Sequence, residues 1–137
     1  MTYQQKLRAF LDKAEKCFVE GDISEISDLF DEKFKFKIYF IKHEKQVILK
    51  GGKREFIAIY SEILARGDGY LEWNYRILKS RLTLFNAIKA ELKFECSALR
   101  KNGNADKSSH IESVVCSFKS GQIKLKRLKA KAGKLVP

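Results

Sequence analysis

His110 and Glu112 stand two residues apart in Ser108-Ser109-His110-Ile111-Glu112, so an extended chain projects both to one side. A histidine paired in this way can accept a proton while the carboxylate fixes its tautomer and stabilises the imidazolium. They form the candidate catalytic pair, the alternative being that both lie idle at an open strand end beside Ser108 and Ser109. Cys17, Cys96 and Cys116 are odd in number, far apart and each on an apolar face, which describes reduced core cysteines. A catalytic thiol at Cys116 would need a base or a positive charge beside it. No Cys or His pair has metal-ligand spacing, so no metal is expected, and no cofactor motif is present. Gly51-Gly52-Lys53 lacks the upstream glycine, the following Ser or Thr and the preceding buried strand of a phosphate-binding loop. It reads as the entry turn of a helix.

The formal charge of +11 is uneven: residues 1 to 106 carry 20 basic and 16 acidic side chains, and residues 107 to 137 carry 8 basic ones against Glu112 alone. Lys124, Lys126, Arg127, Lys129, Lys131 and Lys134 run without an acid between them, a patch able to meet phosphate backbones or an acidic surface. Equally, they could be the wet side of a last strand followed by a basic tail, residues 130 to 137. No recognition helix, zinc finger or aromatic ribonucleoprotein motif accompanies the run.

These residues must be positioned by the elements that periodicity predicts. Tyr3, Leu7, Phe10, Leu11, Ala14, Cys17 and Phe18 repeat at helical spacing over about four turns. Gly21 is placed to end that helix and Asp22 to cap a second, which carries Ile23, Ile26, Leu29 and Phe30. From Lys33 the period becomes two, with Phe34, Phe36, Ile38 and Phe40 opposite Lys33, Lys35, Lys37 and Tyr39. A short strand over Gln46 to Leu49 follows, then a third helix with Phe56, Ile57, Tyr60, Ile63 and Leu64 apolar and Gly67 as its stop. Tyr70 to about Leu84 reads as a long strand with Leu71, Trp73, Tyr75 and Ile77 on one side. Ala87 to Lys129 reads as three antiparallel strands joined by turns at Asn102-Gly103-Asn104 and Lys119-Ser120-Gly121. In the first of them Ile88, Ala90, Leu92, Phe94, Cys96 and Ala98 share one face. At 137 residues, 45% apolar, with ten Phe and one Pro, the chain suits one packed α+β domain over residues 1 to 129. No window approaches the roughly 18 apolar residues of a membrane span. The first twenty residues lack a signal-peptide core, so a cytoplasmic protein without membrane contact is expected.

The order helix, helix, strand, short strand, helix and long antiparallel strands resembles the cone-shaped fold of the nuclear transport factor two-like superfamily, which includes ketosteroid isomerase and small polyketide cyclases. The resemblance covers nearly the whole chain. It is carried by Val19-Glu20-Gly21-Asp22-Ile23 with Asp28-Leu29-Phe30, by Lys50-Gly51-Gly52-Lys53 opening the third helix, and by Val115-Cys116-Ser117-Phe118-Lys119-Ser120-Gly121-Gln122-Ile123. It implies three N-terminal helices packed on a strongly curved, mostly antiparallel sheet, a pocket between them and a homodimer through the sheet.

Carried over residue by residue, the resemblance puts the isomerase's helix-one tyrosine on Ala14, its general base on Ile38 and its second oxyanion donor near Val114, all apolar. Acid–base isomerisation needs a carboxylate and enolate donors, which those positions lack. The resemblance makes the face of His110, Glu112, Val114, Cys116 and Phe118 the concave one. With Phe94, Ile38 and Ala14 it would wall a mostly apolar pocket, to which Tyr60 and Trp73, and also Tyr39 and Tyr75, could add aromatic walls. In the last strand, inward-facing Ile123 and Leu125 would leave Arg127 as the cation near the cavity, whereas inward-facing Lys124 and Lys126 would make it basic; periodicity favours the first. Three functions follow as expectations: binding of a small, mostly apolar ligand; a cofactor-independent dehydratase, cyclase or isomerase using His110 and Glu112; and a scaffold or nucleic-acid-binding module using the basic run.

Overall fold

The computed structural model describes residues 2–83, 88–101 and 108–134, with backbone alone for residues 40–42, 70, 98, 100, 108–110 and 132–134. The elements run α1 (Tyr3–Glu20), α2 (Ile23–Asp28), β1 (Phe30–Lys42), β2 (Lys45–Gly52), α3 (Lys53–Ala65), β3 (Tyr70–Thr83), β4 (Ile88–Arg100), β5 (Ser108–Lys119) and β6 (Gln122–Lys134). Residues 102 to 104, read as a turn from the sequence, lie outside the described residues. No helix among the described residues is long and apolar enough to cross a membrane.

The local signals near the N-terminus act as their chemistry requires. Gly21 ends α1 at φ 72°, a left-handed conformation that costs glycine nothing, and its N–H donates to the Cys17 carbonyl. Asp22 then caps α2 by accepting from the N–H groups of Ser24 and Glu25. Phe30, read as the end of the second helix, instead begins β1. Gly51 lies where α3 turns back over the sheet. A Cβ there would come within 2.9 Å of the Glu55 Cβ and 3.2 Å of the Phe36 ring, so the close approach needs glycine.

All three helices pack on one face of a curved, unclosed six-stranded sheet of order β2-β1-β6-β5-β4-β3. Every neighbouring pair is antiparallel except β1 with β6, the first and last strands, which pair in parallel. The core lies between helices and sheet in two clusters bridged by α1. Leu7 and Leu11 pack with Leu92, Phe94, Cys96, Val114 and Cys116, while Ala14 and Cys17 pack with Ile26, Leu29, Phe34, Phe36 and Tyr60.

Two register shifts decide which side chains face the helices. In β3 the partners of β4 pass from Ile77 opposite Phe94 to Lys79 opposite Lys93, leaving Leu78 as an extra residue. In β6 they pass from Leu125 opposite Cys116 to Arg127 opposite Val115, leaving Lys126 extra. One inserted residue reverses the alternation beyond it. Ile123 and Leu125 therefore face the helices as the sequence predicts, and Leu128 and Ala130 join them. Arg127 turns to the opposite face, correcting its expected place near the cavity. A third shift, between Tyr70 and Glu72, accompanies Leu71 being 58% exposed rather than sharing the Trp73 face. β6 also continues to Lys134 with Ala130 buried, so residues 130 to 134 are strand where a tail was expected.

Candidate functional site

Between helices and sheet lies a cleft of about 90 Å³, walled by residues including Ala14, Phe18, Phe34, Tyr60, Trp73, Phe94, Glu112 and Val114. Five of the predicted pocket residues, Ala14, Tyr60, Trp73, Phe94 and Val114, line it. Cys116, Phe118 and Ile38 do not. Cys116 is fully buried two positions further along β5 in the Leu7–Leu11 cluster, Phe118 meets the Tyr3 ring edge-on at 5.4 Å, and Ile38 packs at the margin of the Phe34 cluster. The predicted aromatic hydroxyls are engaged elsewhere. Tyr60 Oη donates to the Phe18 carbonyl at 2.9 Å, tying α3 to α1. Tyr75 Oη donates to Asp12 Oδ1 at 2.7 Å, and burial, reinforced by that bond, pushes its pKa up.

Glu112 is the carboxylate in the cleft wall, opposite Phe94 in the β4–β5 ladder. The Cys96 thiol lies beside it, pushed well above the usual thiol range by burial first and then by the charge and hydrogen bond of Glu112. His110 is in β5 opposite Cys96, and its side chain lies outside the described residues. Cys116 is held protonated, its pKa pushed up to about 12 by burial, which removes the nucleophilic reading of that thiol. A cleft this small falls short of the roughly 300–1,000 Å³ of ligand pockets. No group of three or more His, Cys, Asp or Glu among the described residues is arranged to hold a metal ion.

The opposite face of the sheet is a different kind of surface. Following the pairings from one edge to the other, Lys79, Lys93, Ser113, Lys129, Lys37 and Lys50 stand directly beside one another, one per strand. All six side chains are exposed. The adjacent row reads Arg81, Glu91, Val115, Arg127, Lys35 and Gly52. Both rows line an open groove of about 1880 Å³ that reaches the start of α3 and is walled by eleven Lys or Arg against three glutamates. Two of those glutamates are committed: Glu32 pairs with Lys53 at 2.7 Å, and Glu55 accepts from the Gly52 N–H at 3.0 Å. Lys37 and Lys129 flank the Tyr39 ring at 5.4 and 5.6 Å. A hydrogen bond with Lys37, aided by the charges of Lys37 and Lys129, lowers the Tyr39 pKa, a sign of the positive field there.

The predicted basic run divides between these surroundings. Arg127 and Lys129 enter the groove, and Lys131 is exposed one row further along the same face. Lys124 instead donates to the Asp28 carbonyl, and Lys126 is the extra residue of the register shift. The Lys134 side chain lies outside the described residues. Reading the run along the chain misses Lys35, Lys37, Lys50, Lys79 and Lys93, which join it only across strands. The alternation of Lys33, Lys35 and Lys37 was the available signal, and by itself it reports only a wet face.

No protein-family model matches this sequence, and a search of curated proteins found no match. Its fold does match solved structures. A nuclear transport factor two-like protein of unknown function from Shewanella oneidensis superposes with a TM-score of 0.72 at 13% identity, over 95% of this chain and 99% of that one. A nuclear transport factor two-like protein from Cytophaga hutchinsonii gives 0.64 at 14% identity, over 96% and 99%. A chain assigned as the β subunit of an aromatic-ring-hydroxylating dioxygenase from Novosphingobium aromaticivorans gives 0.69 at 8% identity, over 97% and 90%. At such identities the likeness is one of fold, and the fold leaves function to the site.

Proposed function

We propose that this chain, whose fold is nuclear transport factor two-like, is a binding module whose working surface is the basic groove that runs over the outer face of its sheet to the start of α3 and whose partner is anionic. The observation that carries this reading is the row of five lysines and one serine crossing all six strands. Like charges directly opposite one another destabilise a sheet, and this row places Lys79 beside Lys93 and Lys37 between Lys50 and Lys129. Elsewhere on the same face the ladder supplies acids, with Arg81 opposite Glu91 and Arg76 opposite Glu95. A surface serving solubility alone would spread its charge, so the uncompensated row points to an external counter-charge.

The same row opposes the homodimer expected through the sheet, because two copies would bring their lysines together in a partly dehydrated interface. We therefore expect a monomer of 15.8 kDa by light scattering at about 0.15 M salt. Labelled inorganic polyphosphate should bind it with an affinity that falls steeply as salt rises. Absence of polyphosphate binding at low salt, or a stable dimer that hides these lysines, sinks the reading. The three buried, free cysteines suit a reducing compartment such as the cytoplasm.

A second reading, a small apolar ligand between helices and sheet, is favoured by the apolar lining of the cleft. At about 90 Å³ it has room for only a few heavy atoms unless Phe18, Phe56 or Trp73 swings aside. Its acid–base form, a cofactor-independent dehydratase, cyclase or isomerase, rests on Glu112 among the described side chains. Native mass spectrometry of the purified protein, followed by denaturing analysis, is expected to find the bare chain. A small molecule released only on denaturation would favour this second reading.

A further inference from the structure

Resting on the anionic-partner reading above, we infer that the partner is the phosphate backbone of a nucleic-acid duplex, laid across the strands along the row from Lys79 to Lys50 and bound without reading the bases. Strands about 4.8 Å apart make this six-strand row about 24 Å long measured along the sheet, a continuous track of point charges. Duplex DNA offers one phosphate charge for about every 1.7 Å of its axis, so several phosphates lie opposite such a track at once.

Shape and side-chain type separate this partner from other anions. The surface is a groove, which takes a rod but which a flat bilayer cannot enter, and its two rows contain Val115 as their one apolar side chain. A single strand would call for aromatic platforms on which bases stack. On this face, among the described side chains, Tyr39 is the aromatic residue, already flanked by Lys37 and Lys129, while Trp73 and Tyr75 pack toward the helices. Lysine is a hydrated charge on a flexible stem, suited to phosphate and poorly suited to the two-pronged recognition of base edges that arginine gives. Contacts of this kind position a duplex and carry no sequence information.

The lysines of the row have no acidic partner among the described residues, so their counterions are available for release when phosphates replace them. Neutralising about five phosphates predicts a slope of log K against log salt of about −4 to −5.

The test uses a fluorescent 24-base-pair DNA duplex and its RNA counterpart, titrated with the full chain between about 50 and 300 mM salt. The wild type is compared with K37Q/K93Q/K129Q on the row and with K6Q/K13Q/K16Q on α1, which removes equal charge from the helix side. The row variant should bind at least about tenfold more weakly at moderate salt, with a slope reduced by about three. The α1 variant should stay within about twofold of wild type, and scrambling the duplex sequence should change nothing. The row variant should also melt no lower than wild type, since it relieves like-charge pairs, so weaker binding cannot be blamed on unfolding. Equal effects of the two variants, or no duplex binding, overturn the inference. If phosphatidylserine vesicles or polyglutamate bind through the row while duplexes do not, the duplex is wrong and the anionic-partner reading stands. If no polyanion depends on the row, both fail. DNA and RNA arms of equal strength mark recognition of the phosphates alone; a strong preference for RNA brings in the 2′-hydroxyl and overturns pure backbone binding.

Discussion

Phe34→Ala is expected to remove about 3–5 kcal/mol of folding stability, a large part of the roughly 5–15 kcal/mol that a domain of this kind has. Phe34 is 1% exposed and lies among three other rings, with centroids of Phe30 at 4.5 Å, Phe56 at 5.6 Å and Phe36 at 6.3 Å. Those rings come from β1 and α3, so this side chain fastens the third helix to the sheet. It also walls the interior cleft, so truncation enlarges an existing void instead of making one that neighbours can close. The cost of a deletion grows with the cavity that remains, which places this site toward the upper end. Urea denaturation should show a lower midpoint with an unchanged slope. A loss under about 1 kcal/mol would mean that Phe30 and Phe56 collapse into the space, and the second cluster would then be looser than its packing implies.

The second large effect is alkaline. Burial raises the pKa values of Cys17, Cys96 and Cys116, with Glu25 reinforcing the first and Glu112 the second. Burial pushes the Cys116 thiol from an ordinary value near 9.0 up to about 12. A thiol whose pKa is raised by folding holds its proton more tightly in the native state. Its contribution is therefore fully present below about pH 9 and is lost as pH rises through the interval up to about 12. Within that interval one such thiol makes stability fall by about 1.4 kcal/mol per pH unit. Lysines and tyrosines titrate in the same range, so the decisive quantity is a difference. Between pH 9.5 and 11, Cys116→Ala should lose stability less steeply than wild type by about 1.4 kcal/mol per unit. Equal slopes would mean that Cys116 ionises in the folded protein, contrary to its complete burial.

A mostly apolar interior cleft and a charged exterior groove make different demands on sequence, and they were legible to different degrees. Glu112 and the apolar residues around it could be assigned to one face because strand alternation is a local property of β5. How small the cleft would be was not legible, since its volume depends on how far Phe18, Phe30, Phe34 and Phe56 fill the space. Cys116 and Phe118 lie outside its lining because α1 covers that end of the sheet through Leu7, Leu11 and Tyr3.

What the sequence determined by itself is whatever depends on neighbours a few residues apart. Helices ended at Gly21 and began at Asp22, strands alternated, cysteines fell on apolar faces, and the order of elements indicated the cone-shaped α+β fold. Tertiary structure alone decided the lysine row. β1 and β6 are about ninety residues apart in the chain, and their parallel pairing sets Lys37 beside Lys129. Two inserted residues, Leu78 and Lys126, then reverse the alternation of β3 and β6. Without them, strict alternation from Ile77 and Leu125 would send Lys79, Arg81, Arg127 and Lys129 toward the apolar core, where isolated ammonium and guanidinium groups are prohibitively costly to desolvate. That cost forces the register shifts, and the shifts gather on one outer face the charges that the chain disperses over five strands.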